Sequence, residues 1–284
     1  MIIAAGVDVG STYTKAAIVA DDGALLSKAM VATGFRLAEA AGRALAEATS
    51  LARLGAGDVS YVVATGCGRY QVPFRDVQVT DLTAQATGAR RFFQGTRTVL
   101  DVGGQTMKAS RLDERGKVKS FRLNDKCAAG TGAFLEKTAR YLGYPIGEVA
   151  QLLETSKQPV PISGVCAVFA ESEVINQVSS GAAPADIMHG AIVSLADRCV
   201  QLMKRAGLEP EFTLLGGVAR FPAAGRVLSA RLKAAVNVPP EDLAQYTAAI
   251  GASCLGLRRL QKLRHEGRLD AHLSEHSPTP NTGS

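Results

Sequence analysis

Two stretches of the sequence combine an aspartate with glycines in the pattern of a strand, a tight turn and a second strand. The first is Gly6–Lys15 (GVDVGSTYTK) and the second is Leu100–Lys108 (LDVGGQTMK). Glycine at such a turn permits positive φ and lets backbone N–H groups approach phosphate oxygens closely. Each stretch therefore predicts a phosphate-binding hairpin, and the repetition predicts two similarly built domains.

The side chains of the two hairpins have the chemistry of a nucleotide site. Asp8 and Asp101 are expected to face each other across a cleft and to hold Mg²⁺ through its waters. Ser11 and Thr12 add hydroxyl donors, and Gln105 is placed to orient an attacking water on a γ-phosphate. Asp8, Asp101 and Gln105 are therefore the predicted catalytic residues. The other hairpin residues expected to contact the nucleotide are Gly10, Lys15, Gly103 and Gly104.

A third glycine pair occurs late in the chain, in Leu214–Arg220 (LLGGVAR). This pattern predicts a strand that runs into a turn beside adenine and ribose, with contacts from Gly216, Gly217 and Ala219. The closing segment Gln245–Ala252 is the start of a small-residue helix suited to close packing at a domain hinge. A Walker-A motif is missing from the sequence, which argues against a P-loop fold.

The order of these motifs resembles that of the acetate-kinase, sugar-kinase, Hsp70 and actin superfamily, in which they are named phosphate-1, phosphate-2 and adenosine. The resemblance implies an α/β fold of two actin-like (ribonuclease-H-like) domains with ATP in a cleft between them. The expected segments are 1–95 for the first domain, completed by a closing helix over 247–263, then 96–246 for the second domain and 264–284 for a disordered tail.

Short apolar runs bounded by glycine alternate with helical periodicity, which is typical of α/β proteins. The predicted strands are Ile2–Val9, Thr14–Ala20, Tyr61–Thr65, Thr98–Val102, Met107–Leu112 and Phe212–Leu215. Apolar residues at spacings of three and four predict helices over 36–53 and over Pro184–Ala206. Pro184 suits the first turn of the second helix, and Gly207 suits its end.

The sequence contains five cysteines, an odd number, and its apolar start lacks the basic leader of a signal peptide. This argues for reduced thiols or metal ligands in the cytoplasm rather than disulfides. Cys199 and Cys254 lie in helical patterns and are predicted to pack in the core, whereas Cys67 is a loop thiol. Cys127 and Cys166 each lie near a predicted helix start, where the helix dipole favours a thiolate and an anionic cluster.

Cys127 and Cys166 together supply half of the four thiolates that a [4Fe–4S] cluster normally takes, so two subunits are expected to share one cluster. The segments around them, Asn124–Glu136 (NDKCAAGTGAFLE) and Ser163–Glu173 (SGVCAVFAESE), resemble one family of ATPases. It is the BadF/BadG/BcrA/BcrD type, which includes 2-hydroxyacyl-CoA dehydratase activators and benzoyl-CoA reductase ATPase subunits. The resemblance extends from Gly6 to about Leu257. It implies that both cysteines of each subunit hold the cluster.

Several positions depart from the family pattern. Cys67 stands where tyrosine is more frequent, and Asp81 and Gln85 stand where the family often has Glu and His, so neither Asp81 nor Gln85 is given a role. The segments Ala183–Arg205 and Gln245–Gly256 look more like those of the benzoyl-CoA reductase subunits. The resemblance thus favours a reductase ATPase subunit, with the dehydratase activator as the alternative.

The function implied by the resemblance is an ATP-hydrolysing [4Fe–4S] electron carrier. Its expected partners are a homologous ATPase subunit in a homo- or heterodimer, a ferredoxin-type electron donor and a catalytic reductase or dehydratase component. Two alternatives stay open. A metal-free sugar or N-acetylhexosamine kinase would need a catalytic carboxylate in a substrate cleft. An actin- or Hsp70-like interaction module would use ATP only to control partner binding.

The net charge of +6 is concentrated near the end of the chain, where residues 258–268 contain five Arg or Lys and one Glu. A solvated helix end explains this cluster, and the lack of Trp with 5% aromatic residues leaves few side chains on which bases can stack. We therefore expect no nucleic-acid partner. No apolar run is long enough to predict a membrane-spanning helix.

Overall fold

The computed structural model describes residues 2–55, 57–124, 131–162 and 167–269, with only the backbone of residues 167 and 168. The chain forms two compact units, one made of Met1–Arg91 and Tyr246–Ser284 and the other of Phe92–Gln245. Each unit is built on a five-stranded sheet with helices, so the protein has a two-domain α/β fold.

The sheet of the first unit has the strand order β3-β2-β1-β4-β5. The strands are β1 (Ile3–Val9), β2 (Tyr13–Ala20), β3 (Leu25–Ala32), β4 (Tyr61–Thr65) and β5 (Val77–Gln78). The first three pair antiparallel, while β4 lies parallel to both β1 and β5. Every residue of β1 is buried, as expected for a continuous apolar strand that is covered on both faces.

Among the described residues, three α-helices belong to this first unit: α1 (Leu37–Leu51), α2 (Asp81–Phe92) and, from late in the chain, α8 (Thr247–His265). One face of the sheet packs against the alanines of α1, namely Ala40, Ala41, Ala44 and Ala48. The backbone of α8 lies directly against β1, because a Cβ added at Gly6 would be 2.0 Å from the Ala249 carbonyl oxygen. Small residues in both elements therefore set the distance between α8 and the sheet.

The sheet of the second unit has the order β10-β9-β6-β7-β8, which matches the first sheet strand for strand. Its strands are β6 (Thr98–Val102), β7 (Met107–Leu112), β8 (Val118–Asn124), β9 (Phe212–Leu215) and β10 (Val236–Asn237). The strand pairings are likewise antiparallel between β6, β7 and β8 and parallel between β6, β9 and β10. The predicted duplication of the fold is confirmed.

The two units differ in what connects their third and fourth strands. The first unit uses α1 alone, whereas the second inserts α3 (Gly132–Tyr141), α4 (Val149–Glu154), α5 (Ala167–Ser179) and α6 (Pro184–Ala206). The buried stripe of α6 packs on the sheet and includes Ile187, Leu195 and Met203. A further helix, α7 (Pro222–Leu232), follows β9. The helix predicted over Pro184–Ala206 is confirmed, and Gly207 follows it at φ +98°.

Six predicted strands and three predicted helices, those over 36–53, Pro184–Ala206 and 247–263, agree with the structure to within two residues. The sequence analysis did not predict β3, β5, β8 and β10 or the helices α2, α4 and α7. Strands β3 and β8 form sheet edges and contain several exposed or half-exposed residues, and β5 and β10 have two residues each, so their apolar signal is weak. Helix α8 continues to His265, beyond the predicted start of the tail, and residues 270–284 lie outside the described residues.

Within the residues that the structure describes, no helix combines the length and the apolar character needed to cross a membrane.

The predicted close packing of the closing helix is confirmed by its contact with α2. A Cβ at Gly251 would lie 1.9 Å from the Ala84 carbonyl oxygen, and a Cβ at Gly88 would lie 2.1 Å from the Thr247 carbonyl oxygen. The two helix backbones therefore touch, and neither glycine can carry a side chain without a shift of the backbone. A hinge role for this crossing stays a prediction.

We expect Gly251→Ala to lower the free energy of unfolding. Alanine gains up to about 1 kcal/mol in helix propensity, but overpacking against a backbone carbonyl costs about 1–3 kcal/mol and more when the backbone must move. Gly147→Ala is the control, because Gly147 is exposed and its Cβ would meet open space. Urea denaturation followed by circular dichroism measures both variants, and equal stability for Gly251→Ala and the wild type would contradict the packing argument.

Candidate nucleotide site

The first aspartate hairpin joins β1 to β2. The Gly10 N–H donates to the Tyr13 carbonyl oxygen at 3.2 Å, which closes the turn. Asp8 lies directly opposite Lys15 in the strand register, and Lys15 Nζ is 3.6 Å from Asp8 Oδ2. The two side chains are only 12% and 18% exposed respectively, so each charge compensates the other at a site with little water.

The second hairpin joins β6 to β7 and repeats this geometry. The Gly103 N–H donates to the Thr106 carbonyl oxygen at 2.9 Å, and Asp101 lies opposite Lys108. Directly opposed residues of an antiparallel pair lie on the same face with their Cβ atoms about 5 Å apart. The same aspartate–lysine register therefore occurs in both sheets.

A glycine at positive φ lies beside each aspartate. Gly66 follows β4 and Gly216 follows β9, and both have φ +86°. A Cβ at Gly66 would be 2.5 Å from Asp8 Oδ1, and a Cβ at Gly216 would be 2.6 Å from Asp101 Oδ1. Only glycine fits either position, because any side chain would displace the carboxylate and strain the backbone.

Gly216 belongs to the predicted adenosine motif, but the sequence analysis missed the equivalent role of Gly66. The available signal was the position of Gly66 directly after a predicted strand, in the same place as Gly216 after β9. A second missed residue is Thr33, whose Oγ1 donates to the Gly10 carbonyl oxygen at 2.9 Å and lies 2.9 Å from Thr14 Oγ1. These two hydrogen bonds attach the end of β3 to the turn between β1 and β2.

The remaining predicted nucleotide residues lie at the surface of their turns. Ser11 and Gln105 are exposed, while Thr12 and Gly104 are half-buried. Gly217 and Ala219 belong to one turn of 3₁₀ helix that ends at Arg220. The structure thus presents hydroxyl, amide and backbone groups at the ends of the strands, which is where phosphate and ribose oxygens could bind them.

These residues fit a nucleotide and its magnesium ion. The glycines keep side chains out of these turns, since a Cβ at Gly10 would clash with the Tyr13 carbonyl oxygen at 2.7 Å, and the space beside Gly217 is open, with no atom within 4 Å of the position of a Cβ. Carboxylate oxygens suit Mg²⁺, which keeps several waters and commonly bridges one or two carboxylates to substrate phosphates. Asp8 and Asp101 supply such oxygens, one in each unit.

The two cysteines predicted to bind a cluster, Cys127 and Cys166, lie outside the described residues. The helices expected after them are present, since α3 begins at Gly132 and α5 begins at Ala167. Two thiols per chain with a helix start next to Cys166 fit one half of a [4Fe–4S] site by the chemistry of the donors.

The other three cysteines differ in exposure. Cys67 is exposed, and its Sγ lies 3.3 Å from the Val9 carbonyl oxygen. Cys199 is buried in the core as predicted, and this burial raises its pKa to about 12. The core prediction for Cys254 is wrong, because this thiol is half-exposed and Arg91 Nη1 lies 3.6 Å from its Sγ. Cys254 lies in α8, which packs on the sheet through other residues. Small residues occur on both sides of this helix, so the sequence pattern did not show that Cys254 is on the exposed side.

Comparison with known proteins extends over nearly the whole chain. The model of the BadF/BadG/BcrA/BcrD ATPase family matches residues 5–256. The activator of lactoyl-CoA dehydratase from Anaerotignum propionicum is 40% identical over 257 residues, which covers 90% of this chain and 98% of that protein. A benzoyl-CoA reductase subunit from Thauera aromatica is 34% identical over 279 residues, covering 94% and 98%.

Solved structures that superpose on this chain include a further dehydratase activator. The activator of 2-hydroxyisocaproyl-CoA dehydratase from Clostridium difficile, with bound ADPNP, superposes with a TM-score of 0.87 at 33% identity over 93% of this chain and 98% of that one. A ROK family glucokinase from Streptomyces griseus superposes with a TM-score of 0.57 at 18% identity over 90% and 99%. The glucokinase shows the shared fold alone, and the predicted actin- and sugar-kinase-like fold is confirmed.

The cysteine environments predict different rates of alkylation. In the native protein at pH 8, we expect iodoacetamide to modify exposed Cys67 readily and to leave Cys199 unmodified, because the neutral thiol is favoured by burial and only a thiolate reacts. Peptide mass spectrometry over time measures each site, and the same protein in urea is the control in which both react. Alkylation of Cys199 as fast as Cys67 in the native state would contradict the burial of Cys199.

Proposed function

Because the chain belongs to the BadF/BadG/BcrA/BcrD ATPase family, we propose that it is an ATP-hydrolysing activator that delivers single low-potential electrons to a 2-hydroxyacyl-CoA dehydratase. The observation that carries this proposal is the similarity to the lactoyl-CoA dehydratase activator over 98% of that protein. An ATPase subunit of a benzoyl-CoA reductase is the second candidate, supported by the similarity to the Thauera aromatica protein. The sequence analysis favoured the reductase subunit. The identity to the lactoyl-CoA dehydratase activator is 40% and that to the reductase subunit is 34%, so the activator becomes the first candidate.

The nucleotide chemistry is assigned to the two hairpins. The backbone N–H of Gly104 and the Lys15 ammonium bind phosphate oxygens, while Gly10 and Gly103, whose own N–H groups close the turns, let the phosphates come close to the backbone. Asp8 and Asp101 hold Mg²⁺ through its waters. Ser11 and Thr12 donate to the phosphates, and the adenosine contacts are Gly216, Gly217 and Ala219. This assignment is supported by the glycine-bounded turns and by the shared register of the two aspartates.

Hydrolysis needs a water positioned in line with the bond that breaks. The exposed amide of Gln105, at the β6–β7 turn, orients this water. The water oxygen bonds to the γ-phosphorus while the bond to the bridging oxygen breaks, which releases phosphate and ADP. The positive groups around the turns stabilise the charge that spreads over the phosphoryl oxygens.

The electron-transfer group is assigned to cysteines of two subunits. Cys127 and Cys166 of each subunit would hold one [4Fe–4S] cluster, and such a cluster, when bound, supplies one-electron transfer. Helix α5 begins directly after Cys166, and its Phe169 and Ile175 are 67% and 45% exposed. We assign these apolar side chains to contact with the second subunit, because a shared cluster would bring the two subunits together here.

The proposed partners follow from this chemistry. A ferredoxin-type protein would supply electrons, and the dehydratase or reductase component would accept them. The second subunit is either a copy of this chain or a homologous ATPase. Reduced thiols as metal ligands suit the cytoplasm, where disulfides are rare.

We expect Asp8→Asn and Asp101→Asn each to lower kcat for ATP hydrolysis by about 100-fold or more, because each removes a carboxylate that would hold the Mg²⁺ ion, and this ion neutralises the phosphoryl charge in the transition state. Asp21→Asn is the matched control, since Asp21 is exposed at the β2–β3 turn. Phosphate release under saturating MgATP measures all three variants. A kcat within twofold of wild type for Asp101→Asn would remove Asp101 from the site.

We expect Cys127→Ala and Cys166→Ala each to lose bound iron and to weaken the dimer, whereas Cys254→Ala keeps both. Anaerobic iron and sulfide analysis, size-exclusion chromatography and EPR of the dithionite-reduced protein with and without MgATP measure these properties. The wild type is expected to hold about four irons per dimer with a nucleotide-sensitive signal. Iron and dimer retained in either cysteine variant would contradict the shared cluster, and an iron-free wild type that hydrolyses ATP would favour a small-molecule kinase.

A further inference from the structure

The Gly103–Gly104 turn, which joins β6 to β7 in the second unit, caps α3, the first helix between β8 and β9. The Gly132 N–H donates to the Gly103 carbonyl oxygen and the Ala133 N–H donates to the Gly104 carbonyl oxygen, both at 2.9 Å. Thr131 makes no side-chain capping hydrogen bond to α3. The first N–H groups of a helix lack acceptors within the helix. Here the carbonyl oxygens of the turn serve as acceptors for two of these N–H groups.

The contact between the turn and α3 leaves little room for independent movement. A Cβ at Gly132 would lie 3.2 Å from the Gly103 carbonyl oxygen and 3.5 Å from the Gly104 Cα. In the same first turn of the helix, Phe134 and Leu135 are buried in the core. A displacement of Gly103 and Gly104 must therefore displace the start of α3.

The geometry of the peptide group connects phosphate binding to this contact. The peptide between Gly103 and Gly104 is planar and trans, so its N–H and its C=O point in opposite directions. Its carbonyl oxygen accepts from Gly132, and its N–H therefore points away from α3. A phosphate oxygen that binds this N–H would pull and polarise the same peptide that caps the helix.

Helix α3 is linked in turn to α5. Lys137 Nζ of α3 lies 2.5 Å from Glu171 Oε2 of α5. This hydrogen bond raises the pKa of Lys137, which favours the charged ammonium. Glu171 lies in the first turns of the helix that follows Cys166.

We propose that α3 transmits the phosphate state of the Gly103–Gly104 turn to α5, with Gly132, Lys137 and Glu171 as the positioning residues. This inference rests on the proposed function, since it concerns how the same nucleotide site acts on the helix next to Cys166. It assigns no part of ATP binding or hydrolysis to Lys137 or Glu171. Their substitution should change transmission and leave turnover unchanged.

The experiment measures hydrogen–deuterium exchange of α5 (Ala167–Ser179) in the full chain with ADP and with ADP plus aluminium fluoride, a mimic of the γ-phosphate. We expect the wild type to show a difference between the two nucleotide states. Lys137→Ala should reduce this difference by up to about fivefold, the range of exposed ion pairs, while kcat for ATP hydrolysis stays within twofold. The measurement does not need the cluster, so it is made on iron-free protein and repeated on iron-loaded protein.

Two further variants and one control test the inference. The charge-swapped pair Lys137→Glu with Glu171→Lys should restore the exchange difference, and Gly132→Ala should reduce it by separating α3 from the turn. Arg231→Ala is the control, because it removes another exposed ion pair of the same unit, with Arg231 Nε 2.6 Å from Asp197 Oδ1. The control should leave the exchange difference at its wild-type value.

The outcomes separate this inference from the proposed function. A wild-type exchange difference in both Lys137→Ala and Gly132→Ala would overturn the inference, as would a failure of α5 to respond to nucleotide in a wild-type protein that hydrolyses ATP. A wild type that neither binds nor hydrolyses ATP would overturn the proposed function as well. Loss of the difference in Arg231→Ala would show that any surface ion pair matters, which also contradicts the inference.

Discussion

The structure depends on a close approach between a carboxylate and a backbone that carries no side chain. In each unit the first strand has an aspartate as its last residue but one, and a glycine at φ +86° follows the parallel neighbour of that strand. The carboxylate occupies the space where a Cβ would be, at 2.5 Å beside Gly66 and 2.6 Å beside Gly216. Two strands that are far apart in sequence thus fix the position of each charged group. Close packing of the small residues of α8 against β1 holds the first of these sheets in place.

The duplicated sheets carry the two turns that we assign to the nucleotide, and the insertion between β8 and β9 carries what distinguishes the two units. Helices α3, α4, α5 and α6 replace the single α1 of the first unit. Both cysteines assigned to the cluster belong to this insertion, one before α3 and one before α5. The hydrogen bonds from the α3 start to the Gly103–Gly104 turn show that the insertion is attached to the phosphate turn itself. Its helices also build most of the second core.

The sequence was informative where local patterns suffice. Strands such as β1 and β6 are continuous apolar runs, and the Asp–Gly turns are visible as motifs, so the fold and the two hairpins could be predicted. The position of Gly66 directly after a predicted strand was visible in the sequence, but its contact with Asp8 was not, because its φ and its distance from Asp8 depend on the pairing of β4 with β1. The Lys137–Glu171 pair joins two helices and has no local signal. Cys254 shows the converse, since a small-residue helix did not reveal which side faces water.

The first unit is assembled from both ends of the chain, whereas the second unit is one continuous segment. On the ribosome, residues 92–245 emerge complete and can form their sheet and helices while synthesis continues. The N-terminal sheet must wait, because α8 follows the second unit in the chain. The backbone of α8 covers Gly6, and Gly256 of the same helix packs against Ala4. Until then one apolar face of that sheet is uncovered in the nascent chain. The order of synthesis therefore lets the second unit reach its native packing before the sheet of the first unit does.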